Sequence, residues 1–157
     1  MQSKNRIMKK RIQWLCEGVE LPQLDFRTIE EWIYAVATEF GKTCGDLGYC
    51  FCDDERILEV NREFLKHDYY TDIITFDYSR GKRISGDMYI SLDTVRTNAE
   101  LLGQPYDREL KRVIIHGILH LCGINDKAPG EREIMERYEN RALDLYKSLK
   151  SNNNAGN

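Results

Sequence analysis

Hydrophobic and polar positions along the chain predict four short strands. Apolar and polar residues alternate over 12–16, which predicts a first strand. Leu47, Tyr49 and Phe51 with their cysteine neighbours predict a second strand at 47–52. Residues 71–78 form a β-branched and aromatic run, and a turn at Ser79–Gly81 leads to a second such run at 84–90. A tight turn between two runs of this kind is typical of a β-hairpin.

Helical spacing of apolar residues predicts about five helices between and after these strands. They are expected at about residues 27–40, 57–65, 94–102, 106–122 and 129–149. Asp53 or Asp54 can cap the second of them. The polar residues 151–157 predict a disordered tail. We therefore expect an α+β fold, with a small mixed four-stranded sheet surrounded by about five helices, in a single domain over residues 1–150.

Composition narrows the class of protein. The chain has 157 residues, of which 41% are hydrophobic and 31% charged, as in ordinary soluble domains. No run of about 18 apolar residues predicts a membrane span, and no hydrophobic stretch follows the basic N-terminus as in a secretory signal. The five cysteines have no paired spacing, so reduced thiols and a cytoplasmic location without a membrane partner are expected.

The net charge of −3 argues against a protein that coats nucleic acid through bulk positive charge. Local basic clusters still permit RNA binding. One cluster, Arg80, Lys82 and Arg83, falls at the predicted hairpin tip, and most such clusters are expected to be solvated surface.

The segment with the clearest chemistry holds two histidines, His116 and His120, four residues apart in an apolar helical run. Residues four apart leave the same face of a helix, so both imidazoles could bind one zinc ion at about 2.0–2.1 Å. Gly123 can end the helix in a left-handed conformation, after which Asp126 can supply a third ligand. Three protein ligands and a fourth open position are typical of a catalytic zinc site.

Other interpretations of these residues remain open. The two histidines could be hydrogen-bonded residues of the core, and Asp126 could be a cap or a solvated loop residue. His67 is the other histidine available as a ligand. The spacing H-x-x-x-H-x-x-G-x-x-D also matches the zinc motif of metzincin proteases. Gly117 stands where those proteases carry a glutamate base, and glycine cannot accept a proton.

The chain resembles the YbeY family of bacterial endoribonucleases, whose signature reads H-G-x-L-H-L-x-G-Y-D-H. Matching residues are His116-Gly117, Leu119-His120-Leu121 and Gly123. Upstream, Asn61, Asp68, Thr71-Asp72, Phe76 and Gly86-Asp87 resemble two further family segments. The resemblance implies a sheet wrapped by helices, one zinc ion per chain, and metal-dependent cleavage of single-stranded RNA. It also implies maturation of the 3′ end of small-subunit ribosomal RNA, ribosome quality control, and contact with the ribosome or small-subunit proteins, with no DNA partner.

Three positions depart from the family pattern. Asp126 occupies the place of the usual third histidine ligand, Asn125 replaces the preceding aspartate, and Leu65 replaces an arginine that is thought to help catalysis in relatives. Carboxylate oxygen is a known zinc ligand, so His116, His120 and Asp126 are the expected ligand set.

The expected function is a zinc-dependent endoribonuclease, and the motif itself assigns no general base. Arg112 lies one helical turn before His116 and could hold phosphate with its planar guanidinium. Alternatively, Arg112 pairs with a neighbour such as Glu109. Two other functions remain possible: a non-catalytic zinc-bound ribosome-assembly factor, and a metal-dependent hydrolase or peptidase of another substrate.

Overall fold

The computed structural model describes residues 12–67 and 71–155. Within them lie four strands, five α-helices and one π-helical turn. The strands are β1 (Ile12–Cys16), β2 (Thr43–Cys52), β3 (Ile73–Asp77) and β4 (Arg83–Ser91). The helices are α1 (Phe26–Glu39), α2 (Asp54–Val60), α3 (Leu92–Leu102), α4 (Tyr106–Leu121) and α5 (Glu131–Ala155), and the π-helical turn, Asn61–Leu65, continues α2.

The strands form one mixed sheet in the order β1-β2-β4-β3. β1 and β4 both run parallel to β2, while β3 is antiparallel to β4 and forms an edge. The predicted α+β class, the mixed four-stranded sheet and the hairpin are therefore confirmed. Asp72 and Thr71 enter β3 from a loop whose residues 68–70, including Asp68, lie outside the described part of the chain.

The core lies between one face of the sheet and the helices α1 and α4, and α5 packs on both of these helices. Trp32 of α1, Tyr49 of β2 and Ile114 of α4 are all at most 1% exposed. The Tyr49 hydroxyl donates to the Ile114 carbonyl oxygen at 2.7 Å, and Trp32 Nε1 donates to the Ala142 carbonyl oxygen at 2.6 Å. These two bonds join the sheet to α4 and α1 to α5 without leaving buried donors unpaired.

A smaller apolar cluster lies under α2, formed by Cys52, Ile57, Val60 and Ile74. Because successive residues of a strand face opposite sides, Cys52 reaches this cluster while Phe51 packs in the main core. α2 therefore covers part of the second sheet face. No helix in the described ranges is long and apolar enough to cross a membrane.

The predicted disordered tail is wrong for residues 151–155, which continue α5. Asn153 Nδ2 donates to Thr28 Oγ1 at 2.8 Å and to Glu31 Oε1 at 3.1 Å. One turn earlier, Lys150 Nζ donates to Asp25 Oδ2 at 2.5 Å. The polar composition that predicted disorder instead supplies side chains that dock the end of α5 onto α1.

The starts of α3 and α5 differ from the predicted ones for identifiable reasons. α3 begins at Leu92 rather than Thr94, because Ser91 caps it by accepting a hydrogen bond from the Thr94 backbone. α5 begins at Glu131 rather than Pro129, since Gly130 takes a left-handed φ of 84° that a helix does not continue through.

Candidate metal centre

A cleft of about 830 Å³ runs along the outer face of α4. Its walls come from α4, the edge strand β3, the C-terminal end of α3, the segment after α2 and the N-terminal half of α5. All four predicted site residues line it: Arg112, His116, His120 and Asp126.

The burial pattern of α4 explains why its histidines face this cleft. Residues 113–115 and 117–119 are buried, while Arg112, His116 and His120 are only partly buried. These three residues are spaced by four along the helix, so they form one stripe. The apolar positions hold the opposite side of α4 in the core, and the stripe is left on the cleft wall.

Asp126 returns to this stripe after α4 ends. Gly123 has φ of 103°, a left-handed conformation that glycine adopts at no steric cost. The turn brings Asp126 Oδ2 to 3.3 Å from His116 Nε2. Two ligand atoms that share a tetrahedral zinc ion at 2.0–2.1 Å lie about 3.3–3.4 Å from each other. The distance between these two atoms therefore fits a shared metal ion.

Glu139 of α5 contacts the other nitrogen of His116. Its Oε2 lies 2.7 Å from His116 Nδ1, and because a carboxylate oxygen accepts, Nδ1 carries the proton. In the neutral ring the lone pair is then left on Nε2, the nitrogen that faces Asp126. Carboxylates behind histidine ligands fix the ring and the tautomer in this way in many metal sites.

The charge around His116 favours its protonated form in the metal-free protein. Burial lowers the pKa of His116, but the hydrogen bond with Glu139 and the charges of Glu139, Asp126 and Asp72 outweigh burial, so the pKa lies above its ordinary value. Zinc binding at Nε2 would have to displace that proton.

Arg112 is held by several partners at once. Its Nη1 donates to Glu139 Oε1 at 2.5 Å, its Nη2 donates to Asn140 Oδ1 at 3.2 Å, and its Nε lies 3.4 Å from Glu109 Oε1. This arrangement includes the Glu109 pairing that the sequence left open, and it adds Glu139. Arg112 thus connects Glu109 to the carboxylate that orients His116. A phosphate contact by Arg112 stays a prediction.

Two further carboxylates lie deep in the cleft. Glu109 is 4% exposed, and its buried Oε1 accepts no hydrogen bond within the described residues. Burial raises the pKa of Glu109, although Arg112 opposes the shift, and burial likewise raises the pKa of Asp72. Arg112 nevertheless faces two carboxylates inside the cleft, those of Glu109 and Glu139.

The full ligand set is not assembled around one point. In residues 12–67 and 71–155, no group of three or more His, Cys, Asp or Glu side chains is arranged to hold a metal ion. His116 and Asp126 have ligand-like spacing, while His120 and His67 line the same cleft without joining a three-residue group. Zinc binding by His116, His120 and Asp126 stays a prediction.

The residue that sequence reasoning missed is Glu139. It lies 23 positions beyond His116 on a different helix, so no local spacing links the two. The only sequence signal is the helical spacing of α5, which places Glu139 on the same face as the apolar residues Met135 and Leu143. In the structure Glu139 is 7% exposed, and both apolar residues are buried. An acidic residue on the apolar face of an amphipathic helix needs a partner.

Gly117 has a packing role at the position where the metzincin pattern has a base. A Cβ atom at this position would lie 3.0 Å from Met88 Cγ and 3.1 Å from Ile73 Cδ1. Position 117 therefore faces the sheet, and the glycine lets α4 approach β3 and β4 closely. A side chain here would not reach the cleft without separating α4 from β3.

Gly117→Ala is expected to lower the free energy of unfolding by about 1 kcal/mol. Alanine has the higher helix propensity, by about 1 kcal/mol, but overpacking a full core costs about 1–3 kcal/mol, and Met88 is fully buried. Urea unfolding of the two proteins measures the difference. An increase in stability would show that Met88 and Ile73 can move aside, and that close packing does not require glycine.

Comparisons with known proteins agree with this fold and motif. The family model described as "Endoribonuclease YbeY" matches residues 17–147. The Bacteroides thetaiotaomicron protein named "Endoribonuclease YbeY" is 64% identical over 132 residues, which cover 84% of this chain and 96% of that protein. The Phocaeicola vulgatus protein of the same name is 65% identical over 134 residues, or 85% of this chain and 97% of the relative.

A solved structure is similar to the fold. The solution structure of TM1509 from Thermotoga maritima superposes with a TM-score of 0.59 and 24% sequence identity, covering 87% of this chain and 92% of that one. At this identity the likeness concerns the architecture only.

Proposed function

We propose, because this chain belongs to the YbeY family of endoribonucleases, that it is a zinc-dependent endoribonuclease specific for single-stranded RNA. Its substrate would be the 3′ end of small-subunit ribosomal RNA in the cytoplasm, with a part in ribosome quality control and contact with the ribosome. The observation that carries the catalytic part is the contact of His116 with both Asp126 and Glu139.

In this proposal the cleft residues are either metal ligands or residues that position a ligand. His116, through Nε2, together with His120 and Asp126, would hold one zinc ion. Zinc, when bound, would polarise a phosphate oxygen of the RNA backbone. Glu139 keeps the His116 proton on Nδ1, and Arg112 holds Glu139 in place.

A peptidase is less well supported than a nuclease. Position 117 is packed against Met88 and Ile73, so the helix carries no general base next to His116. The carboxylates nearest to His116, Asp126 and Glu139, are already committed to its two ring nitrogens.

A non-catalytic assembly factor is the second candidate, and one observation favours it. Leu65, at the position of the family's arginine, is 38% exposed on the cleft wall and carries no charge. Phosphate stabilisation would then depend on the metal and on other cations.

Cleavage of RNA that depends on metal tests the proposal. Zinc-loaded protein is expected to cut a single-stranded fragment from the 3′ region of small-subunit ribosomal RNA, and not DNA of the same sequence. Removal of zinc by a chelator should abolish cleavage, and added zinc should restore it. RNA binding without cleavage would favour the assembly factor, and cleavage unaffected by chelation would contradict a metal-centred reaction.

A further inference from the structure

The tip of the β3–β4 hairpin places two arginines directly opposite each other. Arg80 N donates to the Arg83 carbonyl oxygen and Arg83 N donates to the Arg80 carbonyl oxygen, both at 2.9 Å. Gly81, with φ of 57°, begins the two-residue turn between them. In such a hydrogen-bonded pair the two side chains leave the same face, about 5.5 Å apart at their Cα atoms.

Two more cations lie beside this pair. The Lys82 carbonyl oxygen accepts a hydrogen bond from Thr43 N at 2.8 Å, which brings Lys42 next to the hairpin. We call Lys42, Arg80, Lys82 and Arg83 the basic tip. Arg80, Lys82 and Arg83 are exposed and Lys42 is half-buried.

Among the described residues, none of the four cations of the basic tip forms an ion pair with an acidic side chain. The nearest acids along the strands are Asp46 and Asp77, and Asp77 Oδ1 instead accepts from the Ser79 backbone. Like charges directly opposite in a sheet destabilise it, so the fold gains nothing from Arg80 facing Arg83. An external anion would relieve that repulsion.

The cleft itself is poorly suited to attract RNA. Of its described lining residues, five are acidic and four are basic, and the whole chain has a net charge of −3. The charges of the cleft walls therefore nearly cancel, and its arginines and lysines supply no excess of positive charge that would attract phosphate before a metal binds. Electrostatic attraction for an RNA backbone has to come from outside the cleft.

The edge strand β3 runs from the cleft to the basic tip. Thr75 lines the cleft, and Arg80 follows five residues later along nearly extended chain, a span of about 17 Å at about 3.3 Å per residue. Each strand of a B-DNA duplex rises about 3.4 Å per nucleotide, and an unstacked single strand extends further. A single strand with its scissile bond in the cleft would thus reach the basic tip with at most about five nucleotides.

We propose that the basic tip binds the phosphate backbone of single-stranded RNA outside the cleft and supplies most of the electrostatic attraction for the substrate. This inference rests on the proposed RNA substrate but not on catalysis. Because the tip contacts phosphates only, it adds affinity without sequence preference. Because neither arginine forms an ion pair among the described residues, we expect their replacement to change binding without lowering stability.

The test is the salt dependence of RNA binding by the variant R80Q/R83Q. Binding of a labelled 12-nucleotide single-stranded RNA is measured at several salt concentrations in a His120→Ala background, where cleavage cannot interfere. The matched control is R137Q/R141Q, which removes the same charge from two exposed positions of α5.

The slope of log K against log salt is expected to fall by about 1.4 in R80Q/R83Q, since each single-strand phosphate contact contributes about 0.7. At 0.1 M salt this corresponds to about 25-fold weaker binding. The control should keep the parent slope, and the stability of R80Q/R83Q should equal or exceed that of the parent. Equal slopes in the two variants, or a loss of stability that accounts for weaker binding, would overturn the proposal. Failure of RNA cleavage by the wild type would leave this binding result standing.

Discussion

His120→Ala is expected to lower both zinc affinity and RNA cleavage by about 100-fold or more while leaving the fold intact. The proposed site has three protein ligands, and two are too few to keep a zinc ion in a defined geometry. A metal contributes several kcal/mol to charge stabilisation in the transition state, and about 3 kcal/mol corresponds to about 100-fold in rate. His120 is partly buried on the cleft wall, beside the core residue Leu119, so removal of its ring leaves no cavity in the core.

The control for this variant is His67→Ala. His67 is a histidine of the same cleft and is exposed, and we expect little change in zinc affinity when it is removed. Zinc affinity from competition with a chelator and kcat from RNA cleavage are measured for both variants, and circular dichroism checks their folding. If His67→Ala lost zinc and His120→Ala kept it, the ligand set would be wrong.

Local patterns were sufficient to predict most secondary structure. Helical spacing placed α4 at 106–122, and the helix spans Tyr106–Leu121. The β-branched run at 71–78 and its turn predicted the hairpin of β3 and β4. Both signals lie within a single element, where hydrophobic periodicity directly reflects burial on one side.

The errors arose where long-range contacts decide the structure. Residues 151–155 are as polar as a disordered tail, but Asn153 and Lys150 find partners on α1, over 100 residues earlier. A polar composition indicates that a segment buries too little apolar surface to offset the entropy cost of ordering. It does not show which distant side chains can hydrogen-bond with the segment. The π-helical turn at Asn61–Leu65 likewise departs from the uniform helix that its spacing predicted.

The candidate site shows the same division. Spacing along α4 placed His116 and His120 on one face, and the glycine turn brought Asp126 back to His116. The partner behind His116 could not be predicted, because Glu139 reaches it only through the packing of α5 on α4. The same packing decides that Arg112 contacts Glu139 as well as its helical neighbour Glu109.

Glu139→Gln is expected to weaken zinc binding and slow RNA cleavage by about 10- to 100-fold, the range observed when such supporting groups are removed. Glu139 accepts from two donors, with Oε1 facing Arg112 and Oε2 facing His116. A glutamine has one oxygen and one NH₂ group. If the NH₂ group faces His116, it donates to Nδ1, and the imidazole proton moves to Nε2, where zinc must bind. If the NH₂ group faces Arg112, two hydrogen-bond donors lie opposite each other without an acceptor.

The matched control is Glu136→Gln, which removes the same charge from the same helix. Glu136 is exposed on the cleft wall, one turn before Glu139, and no change beyond about twofold is expected, because a solvated charge contributes little. Equal losses in the two variants would mean that the charge of the cleft matters and the orientation of His116 does not.

Adding Arg112→Met to Glu139→Gln further separates the effect of charge from the effect of His116 orientation. Without the guanidinium the glutamine is free to turn its oxygen toward His116 Nδ1, so the double variant should bind zinc more tightly than Glu139→Gln alone, a coupling that a double-mutant cycle measures.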